Sequence, residues 1–208
     1  MSEAFENIEA FEDIEAFENI KNIKSIKSIE MCKKDLRREL LAQQAKFHDC
    51  RKDEKIVKKL IDGELFRDSD LILTYVSKPK EIDTLALIEH CFSTGKPVAV
   101  PKVVSGEYEI DFFLINDLSE LEPGAFGVRE PTAGCEKAIP TQSTLCVTPA
   151  LACNSGNFRI GYGKGCYDRY LRRFPGKAVG LCYSENIIDF REDEFFDVQL
   201  FQCITNNS

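Results

Sequence analysis

Histidine is scarce in this chain of 208 residues: only His48 and His90 are present, and both fall in stretches that read as helix. No Ser-His-Asp arrangement accompanies them, which leaves little room for nucleophilic hydrolysis of that type. Nine cysteines, at 32, 50, 91, 135, 146, 153, 166, 182 and 203, never form a Cys-x-x-Cys pair. That excludes both a zinc pattern and a compact disulfide framework. Most lie in apolar surroundings, as small buried hydrophobes of a reducing cytosol do, so a cytoplasmic location is expected. No apolar run reaches the length needed to span a bilayer. The first thirty residues also lack a positive start followed by an apolar block, so no secretory signal and no membrane partner are expected. Nor is there an excess of positive charge. Against 35 acids stand 27 lysines and arginines, a net charge of −8, and phosphate backbones are bound by basic surfaces. A nucleic-acid partner is therefore not expected.

What is there begins with a repeat. Phe5, Ile8, Phe11, Ile14, Phe17, Ile20, Ile23, Ile26 and Ile29 recur every three residues. An α-helix advances about 100° per residue, so a period of three winds around the helix and builds no stable seam. Eight acids against three lysines leave residues 1–30 at −5, so the rest of the chain carries only −3. This segment reads as a low-complexity extension outside the fold. The remainder is long enough for one domain with a substantial core.

Residues 159 to 171, Arg-Ile-Gly-Tyr-Gly-Lys-Gly-Cys-Tyr-Asp-Arg-Tyr-Leu, carry the clearest chemistry. Gly161, Gly163 and Gly165 alternate with larger residues and expose bare amides around the mobile charge of Lys164. From Lys164 onward Tyr167, Tyr170, Leu171 and Phe174 recur at helical spacing. A glycine loop entering a helix is an anion cradle, because orphan N–H groups and the helix dipole point the same way. Asp168 stands one turn into that helix, near enough to meet a metal ion held by the same phosphates. The stretch reads as a triphosphate site. It is not a Walker A loop, since no Gly-Lys-Ser/Thr closes it, and its glycine spacing does not fit a dinucleotide fingerprint.

A coarse reading of the rest alternates strand and helix. Helices are expected over 31–47, with Leu36, Leu40 and Leu41 on one side, and over 53–61, stopped by Gly63. A buried strand over 71–76 precedes a helix capped by Asp83 or Thr84, burying Leu85, Ile88 and Phe92 and ending at Gly95. Further strands are expected over 97–103, 108–115 (after a Ser105-Gly106 turn), 145–148, 178–183 and 203–205. Residues 123–140 read as loop and 164–174 as helix. This is an α/β chain with a mainly parallel sheet covered on both faces.

These residues resemble those of the 5-formyltetrahydrofolate cyclo-ligases, the methenyltetrahydrofolate synthetases. Their most recognisable stretch, Arg-Leu-Gly-x-Gly-Lys/Gly-Gly-Tyr-Tyr-Asp-x-Tyr-Leu, is matched at 159–171 with Ile160 and Cys166 as substitutions. Lys33-Lys34-Asp35-Leu36-Arg37 is similar to the opening of the family's first helix. Residues 75–84, with Glu81-Ile82-Asp83-Thr84, resemble its substrate loop, and Pro101-Lys102, Gly127 with Glu130-Pro131, and Asp197-Val198-Gln199-Leu200 follow in the family's order.

The resemblance implies a single three-layer Rossmann-like domain over 31–208, with residues 1–30 as an extension. It implies cyclisation of 5-formyltetrahydrofolate to the 5,10-methenyl form, using ATP and Mg²⁺ and releasing ADP and phosphate. Lys164 and Arg159 would carry the catalytic charge neutralisation. Lys33, Lys34, Arg37, Gly161, Tyr162, Gly163, Gly165 and Tyr167 would join them at ATP. Val76, Glu81 and Tyr162 would meet the folate, and Asp168 and Asp197 the magnesium. Partners would be the small-molecule substrates alone, with the protein a monomer or weak homodimer. One departure stands out: Pro149-Ala150-Leu151-Ala152-Cys153-Asn154 replaces the family's Pro-Gly-x-Ala/Gly-Phe-Asp. The lost aromatic and carboxylate are expected to loosen the folate pocket, and a folate-binding relative without turnover is the alternative reading.

Overall fold

The computed structural model describes residues 33–105, 108–191 and 197–207. The extension expected over residues 1–30, and Gly106 of the expected turn, lie outside them. Helices α1 (Lys33–Phe47) and α2 (Cys50–Asp62) precede the one-turn helix α3 (Glu64–Arg67). Strand β1 (Ile72–Leu73) leads through α4 (Leu85–Thr94) to β2 (Val98–Ser105), which pairs with β3 (Glu109–Ile115). A hairpin of β4 (Leu121–Pro123) and β5 (Arg129–Pro131) follows. The chain re-enters the main sheet as β6 (Leu145–Pro149) and makes a second hairpin from β7 (Ala152–Cys153) and β8 (Arg159–Ile160). Helix α5 (Cys166–Leu171) then leads to β9 (Lys177–Leu181) and β10 (Gln202–Ile204).

The main sheet runs β10-β9-β6-β1-β2-β3 and is parallel except for β3, which lies antiparallel to β2. Side chains alternate across a strand, and here both faces are apolar. Ile72, Val98, Val100, Leu145, Val147, Val179 and Leu181 pack with Ile56, Val57 and Leu60 of α2 and Leu87, Ile88 and Cys91 of α4. Their neighbours Leu73, Ala99, Cys146 and Ala178 pack on the other side with Tyr170 and Leu171 of α5. The domain is therefore three-layered α/β. Among the described residues, no helix is long and apolar enough to cross a membrane.

Several elements differ from expectation for local reasons. Leu36 and Leu40 are buried against Leu151, Ala152, Ile160, Ile188 and Phe190, but Leu41 is 42% exposed. Helix α2 starts at Cys50 because Asp49 caps it, accepting from the Arg51 amide at 2.9 Å. His48 consequently lies between two helices, not within one. Of residues 71–76, all buried, only Ile72–Leu73 form strand. Asp83 caps α4 by accepting from the Leu85 amide at 2.9 Å, while the Thr84 hydroxyl donates to the Tyr75 carbonyl at 2.5 Å. Helix α5 is only six residues long, beginning after Gly165, so Lys164 and Phe174 stand outside it. The β7–β8 hairpin has no signal in the sequence, since two-residue strands are too short for alternation to show.

From β1 the chain proceeds to β2 on one side, and from β6 to β9 on the other. The carboxyl ends of β1 and β6 thus form the topological switch point at which open α/β sheets leave a crevice.

A buried polar cluster ties α2 to this end of the sheet. The Tyr183 hydroxyl donates to Asp53 Oδ1 at 2.6 Å, and the Asp83 amide donates to Oδ2 at 3.3 Å. His48 Nδ1 lies 3.2 Å from the Tyr183 hydroxyl. Burial raises the Asp53 carboxyl above its ordinary range, opposed by the Tyr183 hydrogen bond. Tyr183→Phe removes that donor from a residue only 3% exposed. The expected loss is about 1–3 kcal/mol at neutral pH, where the carboxylate most needs a donor, and less on acidification. Chemical denaturation at two pH values reads it, and an unchanged midpoint contradicts the cluster's role.

Candidate active site

The glycine loop leaves β8 and enters α5 across the carboxyl end of the sheet. Its alternation has a steric cause beyond bare amides. A Cβ at Gly161 would lie 2.7 Å from Nη1 of Arg159, one at Gly163 would lie 3.1 Å from the Arg37 guanidinium, and one at Gly165 would lie 2.9 Å from Nη1 of Arg169. Gly163 and Gly165 also have φ of +93° and +68°, the left-handed region that favours glycine. Arg37 Nε donates to the Gly161 carbonyl at 2.7 Å, and Arg169 Nη2 donates to the carbonyls of Lys164 at 2.7 Å and Tyr108 at 2.9 Å. Each glycine therefore admits one arginine to the loop. With α5 so short, side-chain cations supply more of the positive field here than a helix dipole does.

Arg159 lies at the base of this loop, 7% exposed. Its Nη2 pairs with Asp168 Oδ1 at 3.1 Å, and its guanidinium carbon lies 5.5 Å from the centre of the Tyr167 ring. Arg159 Nε and the Tyr167 hydroxyl are buried without a hydrogen-bond partner. Burial also pushes the Tyr167 hydroxyl well above its ordinary pKa, so it stays neutral. Orphan buried donors are costly and mark a place where an acceptor gains more than it would at the surface. Nearby, Lys164 Nζ reaches the Tyr108 hydroxyl at 3.1 Å and lies 4.6 Å from that ring's centre. Lys33 is ion-paired with Asp197.

The second wall is the segment after β1. The Tyr75 hydroxyl donates to the Ile82 carbonyl at 2.9 Å, fixing the turn that carries Glu81. Glu81 is 8% exposed and accepts from the Lys78 amide at 2.8 Å and from the Tyr162 side chain. Burial raises its carboxyl above the usual glutamate range, and these two donors pull the other way.

Both walls face one cleft of about 450 Å³. Lys33, Arg37, Val76, Glu81, Arg159, Gly161, Tyr162, Gly163, Lys164, Gly165, Tyr167, Asp168 and Asp197 all line it. Lys34 does not: it is exposed and absent from the lining. Cys153 and Asn154 are also absent from it. Cys153 is fully buried within β7, and Asn154 accepts from the Phe158 amide at 2.9 Å, closing its own turn. The expected loosening of the folate pocket by these two positions therefore has no contact to act through.

A model of the 5-formyltetrahydrofolate cyclo-ligase family matches residues 29–206. The chain belongs to that family. It is 28% identical over 178 residues to a Caenorhabditis elegans protein named probable 5-formyltetrahydrofolate cyclo-ligase, covering 79% of this chain and 86% of that one. The Haemophilus influenzae 5-formyltetrahydrofolate cyclo-ligase is 28% identical over 144 residues, covering 66% and 76%. Among solved structures, the Aquifex aeolicus 5,10-methenyltetrahydrofolate synthetase aligns with a TM-score of 0.74 at 26% identity, over 86% of this chain and 91% of that one. The Mycoplasma pneumoniae 5,10-methenyltetrahydrofolate synthetase aligns at 0.66 and 26%, over 84% and 98%. As a cyclo-ligase family member the protein is an enzyme of the ligase class.

Five further residues line the cyclo-ligase cleft without a site role assigned from the sequence: Tyr75, Lys78, Phe126, Glu130 and Arg169. Phe126 is 52% exposed with φ of +57° and stacks on Tyr108, whose φ is +75°, with ring centres 5.5 Å apart. Flanking glycines at 124 and 127 were its only available signal. For a metal, Asp168 and Asp197 offer two hard oxygen donors in the same cleft, while among the described residues no group of three or more His, Cys, Asp or Glu could hold one. Such a set fits an ion that draws its remaining ligands from water and a substrate's phosphates, as Mg²⁺ does.

The electrostatics of Glu81 can be checked directly. Its carboxyl titrates above the usual glutamate range, and Tyr162→Phe, which removes a donor to the ionised form, raises it further. Side-chain carbon NMR titration reads both values, and an unshifted or lowered value in the variant would contradict this.

Proposed function

We propose that the protein cyclises 5-formyltetrahydrofolate to 5,10-methenyltetrahydrofolate, cleaving ATP to ADP and phosphate with Mg²⁺ bound. The observation that carries this reading is one cleft that gathers four cations, a glycine loop and a buried carboxylate. Lys33, Arg37, Arg159 and Lys164 line it with the glycine loop, and the buried Glu81 lines it from the turn after β1.

At the glycine loop, Lys164 neutralises charge on the transferring phosphoryl oxygens, and the amides of Gly161, Gly163 and Gly165 orient the triphosphate. Arg159 receives a phosphate oxygen at its orphan Nε. Lys33 and Arg37 hold the same nucleotide from α1, while Lys34, outside the lining, is given no contact. Tyr167 packs on Arg159 and keeps water from it. Asp168 and Asp197 would hold Mg²⁺, which when bound adds charge neutralisation at the phosphates. At the turn after β1, Glu81 accepts hydrogen bonds from the amino and ring N–H groups of the pterin, with Val76 and Tyr162 beside the ring.

The formyl oxygen takes the γ-phosphoryl group, N10 attacks the activated carbon, and phosphate leaves. Positioning and charge neutralisation supply most of the acceleration in such a transfer, and no protein nucleophile is needed. Every described cysteine is a free thiol, which fits the cytoplasm. The reading of a binder without turnover loses its motive once Cys153 and Asn154 are seen to lie away from the lining.

Appearance of the methenyl chromophore, with ATP and Mg²⁺ and not without them, tests the reaction. Lys164→Met is expected to lower kcat by about 100-fold or more with little change in thermal stability, since Lys164 and its bond to Tyr108 are exposed. Undiminished turnover in that variant would remove the assignment. Glu81 must be ionised to accept from the pterin, so folate affinity falls as pH drops through its raised pKa. Glu81→Gln should weaken folate binding more than ATP binding and abolish that pH dependence; calorimetry with each ligand decides it, equal losses counting against.

A further inference from the structure

Closing a ring on a folate amine discards the amine proton, and none of the roles above receives it. Four acids line the cleft: Glu81, Glu130, Asp168 and Asp197. Asp168 is ion-paired with Arg159, and Asp197 with Lys33. Glu81 already accepts from the Lys78 amide and the Tyr162 side chain. Glu130, in β5, differs from all three. It is 9% exposed, forms no ion pair among the described residues, and accepts only a long 3.4 Å bond from the Val103 amide. Neither histidine competes: His48 is bonded to Tyr183, and His90 packs on Phe66 with ring centres 5.6 Å apart. Both are absent from the lining.

The Glu130 side chain is also held in place. Gly124 presents a bare Cα to it, and a Cβ there would come within 2.4 Å of its Cγ and 2.6 Å of Oε2. With φ of −123° Gly124 needs no left-handed conformation, so the missing side chain, not backbone freedom, is what the contact uses. A carboxylate oriented by packing, open to a cleft and uncommitted to a cation is suited to taking a proton.

We propose that Glu130 accepts the proton released during ring closure, an inference that rests on the cyclo-ligase reading above. The amine nitrogen uses its lone pair to form the new C–N bond to the phosphorylated formyl carbon, whose C=N π pair moves onto N5 and returns when the C–O bond breaks. The N–H electron pair stays on nitrogen, and the proton moves to a Glu130 carboxylate oxygen. The C–O bond then breaks with its electrons going to the departing phosphate. That phosphate takes the proton from Glu130 and leaves as hydrogen phosphate, restoring the carboxylate.

The test uses the full chain with ATP, Mg²⁺ and 5-formyltetrahydrofolate, following the methenyl chromophore. Absence of product from the unaltered protein overturns this inference and the cyclo-ligase reading together. Given turnover, Glu130→Ala should lower kcat by about 100-fold while the folate KM moves little, and added formate should restore part of the loss. Gly124→Ala should lower kcat as well with Glu130 intact, because the new methyl displaces the carboxylate. Glu130→Gln should match the alanine variant but resist formate, since its side chain fills the space. Wild-type kcat in Glu130→Ala, a loss confined to KM, or a loss that formate does not relieve would each refute the proton role and leave the cyclo-ligase reading standing.

Discussion

A guanidinium almost sealed from water governs the geometry of this cleft. Arg159 has 7% exposure, and a charge so placed is tolerated only beside a counter-charge with good hydrogen bonding. Asp168 is that partner, at 3.1 Å. Because Arg159 lies in β8 and Asp168 in the first turn of α5, their pairing pins both ends of the loop between them. The loop cannot drift without separating a buried ion pair. Removing either partner would strand the other, which is more costly than never having built the pair.

The rest of the cleft follows from where the sheet divides. β1 and β6 lie side by side, but their chain continuations diverge, so Tyr75 and Val76 leave the sheet next to Pro149. One continuation becomes the Glu81 turn, held by the Tyr75 hydroxyl and, through Asp83, by Asp53. The other becomes the hairpin that presents Arg159. The glycine loop and the Glu81 turn thus line one cleft because two parallel neighbours part company. The antiparallel edge strand β3 contributes Ile110, and the β4–β5 hairpin contributes Phe126 and Glu130.

Much of this was readable from the chain. The parallel core strands are near-continuous apolar runs, and Gly95, in the left-handed region with φ of +69°, ends α4 as expected. The glycine alternation is a local pattern, and Glu81, singled out by the family resemblance, lines the same cleft. What stayed hidden depends on distance in sequence. Lys33 and Asp197 lie 164 positions apart, and no spacing rule connects them. Nothing in the sequence marks the approach of Arg169 to Gly165 or its bond to the Lys164 carbonyl. Helix α5 was overestimated because its apolar period continues through Phe174 after the backbone has left the helix. The β7–β8 hairpin stayed hidden for a related reason: two-residue strands carry too little pattern to show.

The matched contacts of Gly161 with Arg159, Gly163 with Arg37 and Gly165 with Arg169 bear on how such a loop can drift over evolutionary time. Each pair shares a volume, so a side chain at the glycine position displaces the guanidinium beside it. Substitution histories at the two positions of a pair are therefore not independent. A lineage that shortened Arg37 would gain a methyl's worth of freedom at 163, though the left-handed backbone would still resist its use, whereas position 161 would be released by change at 159 alone.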